Sequence, residues 1–395
     1  MPFVRPYLEQ CLKEGRTARL PRLNVIRTVA ERLAVEDGDE TRVESYTSCL
    51  LELASTTGGQ DVRLLLAKGP GIWERERSDY DLLAAAVFTN HISLVKSLVD
   101  SELGWQFNTI GNPFKVAVLT RRFEILDLFF ADIYRYRVSS GRYYMLEIAA
   151  REGDSKMVEY LLKPGRNPFD YDSVMNEQVK EANKALRTPS VETLNLILAE
   201  REKWNPRPLS EGFLLDLLCE AARQGWTTMT EHLISLGAPL EVPIKMKSIK
   251  SPLYYACEAG HDEVINVLLD HGAQICGREL EAAASHGYTT TVKILLERGA
   301  DVHCTGAEDC LLVAARKGFF EIVRILLDAG MNANQRSPAP IIFAVQSEHT
   351  GIFWLLIERG ARLDEAKVAA EAVRRAEAAG LESMLSLLRS HMRTD

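Results

Sequence analysis

Cysteine is sparse in this sequence, and no two cysteines stand in the short CxxC spacing of a zinc or redox motif. The 7 cysteines are odd in number and scattered along 395 residues. Neither a disulfide framework nor a zinc module is therefore expected. We expect reduced and mostly buried thiols, as in a protein of a reducing compartment.

Long apolar runs are also missing. No run approaches the roughly 20 residues of a membrane span, and the segment Met1 to Arg22 lacks the unbroken apolar core of a signal peptide. Basic residues do not predominate, because 47 Lys and Arg against 55 Asp and Glu give a net charge of -8. That charge has the wrong sign for tracking a phosphate backbone or an anionic membrane. We therefore expect no nucleic-acid partner, no membrane partner and a cytoplasmic or nuclear location.

Known catalytic motifs are also missing from the sequence. The motifs GxSxG, HExxH, GxxxxGK[ST] and a GxGxxG after a strand do not occur. The nearest grouping of metal-binding residue types, His303 to Cys310, matches no common zinc spacing. The sequence therefore predicts no catalytic residue, no metal site and no cofactor.

What the sequence does contain is an apolar pattern that returns after roughly 30 residues. Consecutive copies run from Ser251 to Ala273, from Arg278 to Val302 and from Asp309 to Ala333. Each copy has a short apolar helix with small residues, a glycine turn, and a second helix that ends in a leucine doublet before another glycine. Since small residues let helices approach closely, the pattern predicts stacked helix pairs.

The copy SPLYYACEAGHDEVINVLLDHGA, which begins at Ser251, resembles the ankyrin repeat, which reads roughly TPLHxAAxxGHxEIVKLLLxxGADVN. The resemblance is strong over Ser251 to Asp364 and weaker upstream, where Tyr144 to Gly165 is a good copy. It implies an all-α solenoid of stacked helix–turn–helix units with hairpin-like fingers and capping helices. The histidine of the family's TPLH is replaced in every aligned unit, so a less regular array is expected. The replacing residues are Tyr254, Glu281, Leu312, Glu147, Lys115, Cys219 and Ile342.

The resemblance also suggests how the chain is organised. We expect an N-terminal helical cap over residues 1–47, a repeat array over 48–364 and a C-terminal helical cap over 365–395, because the end units of an array have one unstacked side. The array should hold about ten units and be irregular over 100–250. His91, His261 and His349 match the family's position after the glycine turn, and the resemblance implies a structural role between helices for them.

Tyrosines and arginines interleave between Ala131 and Met145, in a segment that the repeat register places in a finger rather than a helix. These residue types are enriched at binding hot spots, because they offer large area, rigid planes and directional donors. Neighbouring fingers would align further rings along one edge. A gap-filling role between irregular repeats is a nearly equal alternative for these side chains. The candidate partner-binding residues are Trp105, Phe107, Tyr134, Arg135, Tyr136, Arg137, Arg142, Tyr143, Phe169, Tyr171, Trp204 and Arg207.

Repeat content without a catalytic motif favours a non-enzymatic adaptor or scaffold, whose concave face and fingers bind a protein or peptide. One alternative is an enzyme or small-molecule binder with a pocket in the irregular middle, 105–207, that contains Arg135, Arg137, Tyr143 and Glu147. A further alternative is a ubiquitin-ligase substrate receptor, because Leu20 to Leu33 looks like the opening of an F-box.

Overall fold

The computed structural model describes residues 4–13, 21–56, 78–100, 111–131, 139–168, 183–204, 206–242, 250–334, 338–363 and 366–391. Over these ranges the regular structure is helical, with one short 3-10 helix at Glu40–Arg42 and no strand. The prediction of an all-α repeat fold is confirmed. The chain divides into two compact units, Met1–Arg207 and Pro208–Asp395.

In the unit Met1–Arg207 consecutive helices from α2 to α9 pack against each other in pairs. The first helices of successive pairs pack together, α2 on α4, α4 on α6 and α6 on α8, while α5 packs on α7 and α9 on α10. The helices are α1 Val4–Lys13, α2 Pro21–Glu36, α3 Val43–Thr56, α4 Ser78–Thr89, α5 Ile92–Asp100, α6 Pro113–Leu119, α7 Phe123–Phe130, α8 Ser139–Arg151, α9 Ser155–Leu161 and α10 Val191–Trp204.

The unit Pro208–Asp395 repeats the arrangement with greater regularity. Its first helices, α11, α13, α15, α17, α19 and α21, form one packed row, and the second helices α12, α14, α16, α18 and α20 form another. The helices are α11 Glu211–Gln224, α12 Thr227–Ser235, α13 Pro252–Ala259, α14 Asp262–Asp270, α15 Gly277–His286, α16 Thr289–Glu297, α17 Cys310–Lys317, α18 Phe320–Asp328, α19 Pro340–Gln346, α20 Thr350–Glu358, α21 Ala366–Ala378 and α22 Glu382–His391.

The N-terminal helices behave like a further pair of the array. The expected cap boundary at residue 47 lies inside α3, and α2 packs against α4 as α4 packs against α6. The helix α2 also contains nearly all of the F-box-like segment. The cap boundaries remain a proposal, and the F-box hypothesis remains a prediction from sequence.

The second helices are anchored by the leucine doublets that define the repeat. In α14 and α16 the first leucine of each doublet, Leu268 or Leu295, is fully buried, whereas the second, Leu269 or Leu296, is half-buried. Helical geometry causes this difference, because consecutive residues point about 100° apart and only one faces the neighbouring helices.

Four first helices of the second unit, α11, α13, α15 and α17, end at a glycine in the left-handed region, with φ of 74° at Gly260 and 83° at Gly287. A tyrosine, phenylalanine or histidine ring of the following repeat packs against that glycine. A Cβ atom at Gly260 would lie 2.7 Å from the ring of Tyr288, and one at Gly225 would lie 2.7 Å from His261. Glycine is therefore needed here both for its backbone conformation and for the close approach.

The same position lacks glycine in three repeats, where Asn90, Arg121 and Glu348 take positive φ values of 64°, 52° and 57°. Asn90 directly follows α4, whereas Arg121 and Glu348 lie two residues after the ends of α6 and α19. The shared backbone conformation identifies them as the same repeat position despite their different side chains.

Free carbonyl groups at the ends of the first helices are satisfied by the next repeat. Nε2 of His261 donates to the carbonyl of Arg223 at 3.0 Å, and Nε2 of His349 donates to that of Arg316 at 3.2 Å. The last carbonyls of a helix have no partner within it, so each of these bonds removes a desolvation cost. The structural role implied for these two histidines is confirmed.

His91 has a different partner in the first unit. Its Nε2 lies 2.7 Å from Oδ1 of Asp37, and Nδ1 lies 2.6 Å from the hydroxyl of Thr89. The hydroxyl of Tyr46 also donates to Asp37. Hydrogen bonds from Tyr46 and His91 lower the pKa of Asp37 below its usual value. His91 is thus also structural, joining α4 and α5 to the end of α2.

A buried carboxylate links two repeats where the family histidine is missing. The hydroxyl of Ser251 accepts from the backbone nitrogen of Tyr254 at 3.0 Å and donates to Oε1 of Glu279 at 2.8 Å. Oε2 of Glu279 accepts from the backbone nitrogen of Cys276 at 2.9 Å. Glu279 is only 4% exposed. Its carboxylate therefore caps its own helix and holds the start of α13.

Burial raises the pKa of Glu279 above its usual value of 4.5, because desolvation outweighs the hydrogen bonds from Ser251 and Cys276. The folded protein therefore keeps this proton to higher pH than the unfolded chain. We expect the free energy of unfolding to fall as pH rises from 4.5 to the raised pKa, and to level off above it. Urea unfolding of the parent and of Glu279→Gln across this range should show that fall in the parent alone. Equal slopes in the two proteins would contradict this assignment.

Candidate functional site

Most of the residues proposed from sequence for partner binding lie outside the described residues. These are Trp105, Phe107, Tyr134, Arg135, Tyr136, Arg137, Phe169 and Tyr171. Their role stays a prediction.

Arg142 and Tyr143 were expected in an exposed finger, and this placement is wrong. Both lie in α8, and Arg142 is only 2% exposed. Its guanidinium donates to the carbonyl of Gly165 at 3.0 Å and lies 5.3 Å from the ring centroid of Phe130. Tyr143 is half-buried, and desolvation raises its pKa. Arg142 therefore fills space between helices, as the gap-filling alternative held.

Trp204 and Arg207 were also assigned to a finger. Trp204 is instead the last residue of α10, whereas Arg207 is exposed beyond it. The carbonyl of Arg207 accepts a hydrogen bond of 2.9 Å from Arg201. Among the proposed residues, the structure thus brings together only the neighbours Arg142 and Tyr143 within the ranges that it describes.

The alternative of a catalytic pocket relied partly on Glu147. This carboxylate accepts from the guanidinium of Arg151 at 2.6 Å, one helical turn away on α8. Arg135 and Arg137 fall outside the described residues. The pocket stays a prediction.

Metal sites and membrane-spanning helices are two other kinds of functional feature. Among the described residues there is no group of three or more His, Cys, Asp or Glu side chains placed to hold a metal ion. None of the helices described is long and apolar enough to cross a membrane.

One aromatic cluster of the first unit joins two second helices. The hydroxyl of Tyr160 donates to Oδ1 of Asp127 at 2.6 Å and to the carbonyl of Phe123 at 3.1 Å. The guanidinium of Arg166 pairs with Asp127 and lies 4.1 Å from the ring centroid of Tyr160. Desolvation, followed by the bond to Asp127, raises the pKa of Tyr160. These bonds join α7 to α9 and to the segment that follows α9, which indicates a structural role.

The strongest candidate site lies at α13 in the second unit, where two adjacent tyrosines each contact a cation. We call it the tyrosine cluster, and it consists of Arg223, Lys250, Tyr254, Tyr255 and Glu258. The two tyrosine rings meet edge to face, with centroids 5.9 Å apart and planes at 90°. Both rings are half-buried. Each therefore has a fixed orientation and a part that faces solvent.

Tyr254 is held from two sides. The Lys250 ammonium donates to its hydroxyl and lies 3.8 Å from its ring centroid. The hydroxyl in turn donates to Glu258 at 3.2 Å, and Lys250 lies 3.5 Å from the same carboxylate. Desolvation lowers the pKa of Lys250, but the bond to Tyr254 and the charge of Glu258 together raise it above its usual value. Lys250 therefore stays charged at neutral pH.

Tyr255 contacts a cation from the preceding repeat. The guanidinium of Arg223, at the end of α11, lies 4.2 Å from its ring centroid. Arg223 also pairs with Glu220 at 3.1 Å and remains 45% exposed. A planar cation on a ring face is favourable, by about 0.5 to 1 kcal/mol at exposed sites. The cluster thus extends across two repeats.

The row of first helices continues with more positive charge. Arg316 and Lys317 are exposed at the end of α17, and Arg375 lies 4.9 Å from the ring centroid of Phe343. Hydrogen bonds from Arg374 and Arg375 lower the pKa of Glu371 to about 2.

The tyrosine cluster holds rings, two cations and a carboxylate but no nucleophile with an adjacent base, so its chemistry suits binding.

Sequence reasoning missed the tyrosine cluster. Two signals could have pointed to it: Tyr254 stands where the family has its histidine, and Lys250 ends the segment VPIKMKSIK, an insertion of residues 242–250 before the copy that starts at Ser251. The contact with Arg223 joins residues far apart in the sequence and needed the fold.

Comparison with known proteins agrees with the repeat pattern of the sequence. A family model described as ankyrin repeats (3 copies) matches residues 183–278 and 280–367. The ankyrin repeat and KH domain-containing protein mask-1 of Caenorhabditis elegans is 28% identical over 228 residues, which are 52% of this chain and 8% of that protein. Ankyrin repeat and SOCS box protein 11 of Danio rerio is 38% identical over 94 residues, which are 22% of this chain and 31% of that protein.

Among solved structures, the ankyrin repeat domain of human ASB11 is 26% identical with a TM-score of 0.38, and the match covers 44% of this chain and 82% of that one. The chain spans less than a third of the length of each of the two relatives above.

Proposed function

Since the chain is an ankyrin-repeat protein, we propose that it acts as a non-enzymatic adaptor or scaffold that binds a protein or peptide partner through the tyrosine cluster. The observation that carries the proposal is the pair of adjacent, cation-contacted rings at Tyr254 and Tyr255. Tyrosine and arginine are the residue types that contribute most at protein interfaces. The proposal includes a cytoplasmic or nuclear location and, from the net charge of -8, no nucleic-acid partner.

The geometry supports binding because the rings are already ordered. Contacts with Lys250, Glu258 and Arg223 restrict both tyrosines before any partner arrives. Ordering a side chain on association costs about 0.5 to 1.5 kcal/mol, and a ring that is already fixed avoids much of this cost. Lys250 and Arg223 also offer charge to a partner that carries carboxylates.

Replacing Tyr254 and Tyr255 together by alanine should abolish or greatly weaken partner binding. Truncating a hot-spot ring costs about 2 kcal/mol or more, which is roughly a thirtyfold loss of affinity for each residue. The measurement has two stages: proteins captured from the source cell by the parent chain are identified, and the Kd of the chosen partner is then measured by calorimetry for parent and variant.

The matched control is Phe320→Ala, which removes an exposed ring, 42% accessible, from the second-helix row of the same unit. It should leave the Kd unchanged. Circular dichroism checks that both variants remain helical. An unchanged Kd in the double tyrosine variant would rule out the tyrosine cluster as the binding surface, and the Tyr134 to Arg137 segment would be tested next.

A further inference from the structure

The start of α15 and the turn before α17 touch through their backbones. A Cβ atom at Gly277 would lie 2.2 Å from the backbone nitrogen of Ala307 and 2.8 Å from Sγ of Cys304. A Cβ atom at Gly306 would lie 3.0 Å from the backbone nitrogen of Arg278. Two turns from consecutive repeats are therefore in direct contact, and the sulfur of Cys304 lies against the residue that follows Cys276.

These two cysteines differ in exposure from most of the others. Cys276 is exposed and Cys304 is half-buried, so both thiols can be reached from solvent. Cys49 is also half-buried but lies in the first unit. The buried thiols are Cys11, Cys219, Cys257 and Cys310.

We propose that Cys276 and Cys304 form a modification site, at which a peroxide oxidises the two thiols to a reversible disulfide between consecutive repeats. A disulfide needs Cα atoms about 4.4 to 6.8 Å apart. Cys276 is one residue, about 3.8 Å along the chain, from the Gly277 position that Sγ of Cys304 already touches. The link therefore requires the exposed Cys276 side chain to rotate toward Sγ of Cys304. This site is independent of the adaptor function.

The chemistry balances with hydrogen peroxide as the oxidant. One thiolate attacks a peroxide oxygen and breaks the O–O bond, which gives a sulfenic acid and, after protonation, one water. The second thiolate attacks the sulfenic sulfur, which forms the S–S bond and breaks the S–O bond, and the hydroxide that leaves takes up a proton to give a second water. Two electrons pass from the sulfurs to the peroxide, and a dithiol reductant reverses the change.

The surroundings of Cys276 set the pH dependence of this reaction. Burial, followed by the charges of Glu279, Glu241 and Cys304, raises the pKa of the Cys276 thiol, while Arg278 lowers it. The thiolate is the reactive form, so the disulfide should form faster as pH rises above neutrality. Oxidation at two pH values, about 7 and 8.5, tests this dependence.

The decisive experiment maps the linkage in the full chain after peroxide treatment. Digestion with trypsin and a glutamate-specific protease cleaves after Glu258 and Glu308, which separates Cys276 from Cys257 and Cys304 from Cys310. Mass spectrometry without reduction should then find a peptide pair joined through Cys276 and Cys304, and this pair should disappear with dithiothreitol. Cys276→Ser and Cys304→Ser should each abolish the pair, whereas Cys49→Ser should leave it intact.

Thermal melting supplies a second readout. The linkage restricts the unfolded chain, so the oxidised parent should melt about 5 °C or more above the reduced parent, with no such shift in Cys276→Ser. Peroxide treatment that leaves the two thiols as separate sulfinic acids, or joins them only between chains, overturns the proposal. So does a parent chain that carries the linkage but melts at the same temperature as the reduced parent.

Discussion

Replacing Leu295 by alanine should lower the free energy of unfolding by about 2 to 5 kcal/mol. Leu295 is 0% exposed on α16, whose neighbours in the second-helix row are α14 and α18. Truncation removes buried methyl groups and leaves a cavity that helices packed on both sides cannot easily fill. Urea denaturation followed by circular dichroism measures the loss.

The adjacent leucine is a matched control. Leu296 has the same chemistry on the same helix but is only half-buried, so Leu296→Ala should cost clearly less. A loss below about 1 kcal/mol for Leu295→Ala, or an equal loss for both variants, would show that the buried face of α16 is misassigned.

Replacing Gly277 by alanine should cost about 3 kcal/mol or more. The added methyl would lie 2.2 Å from the backbone nitrogen of Ala307, and a backbone atom cannot turn aside as a flexible side chain can. The conflict can be relieved only by separating two consecutive repeats. Denaturant unfolding of the variant measures the effect.

Gly351→Ala is the control, and it should raise rather than lower the free energy of unfolding. Gly351 lies in α20, and the nearest atoms to an added Cβ are on the Phe320 ring at 3.6 and 3.7 Å, which is ordinary contact. Alanine in a helix is more favourable than glycine by about 0.5 to 1 kcal/mol, so this variant should gain stability. Equal effects of the two glycine substitutions would contradict the backbone contact at Gly277.

The regular part of the fold could be predicted because local and repeated signals agree. Glycine turns and leucine doublets return in the same order from Ser251 onward, and the structure has helix pairs at each copy. At Arg121 and Glu348 the same backbone conformation occurs without the glycine of the sequence pattern, which only the structure shows.

The error at Arg142 has a specific cause. The segment Ala131 to Met145 was interpreted as a finger because the repeat register placed the start of the next helix near Tyr144, whereas α8 already starts at Ser139. In the structure Gly141 lies within α8, and a Cβ atom there would lie 2.7 Å from the ring of Phe114. The glycine serves close packing between helices of consecutive repeats, which the sequence alone does not distinguish from a turn.

The candidate site could be predicted only in its residue types. The prediction from sequence favoured a segment where tyrosines and arginines interleave, Ala131 to Met145. In the tyrosine cluster, Arg223 and Tyr255 come from different repeats, and only the stacking of α11 on α13 brings them within 4.2 Å. Contacts of this kind depend on the repeat register and on side-chain direction.

The matching of each helix end to the following repeat also limits how such an array can change in evolution. For example, the ring of Tyr288 packs in the space that a side chain at Gly260 of the preceding unit would need. Where Arg121 replaces the glycine, the next unit instead supplies Asp154, which pairs with its guanidinium at 2.8 Å. Units are therefore not interchangeable. A duplication or exchange that set Arg121 before Tyr288 would place the Arg121 side chain in space that the Tyr288 ring occupies beside Gly260. Adjacent repeats with matching contact residues therefore have to be retained together.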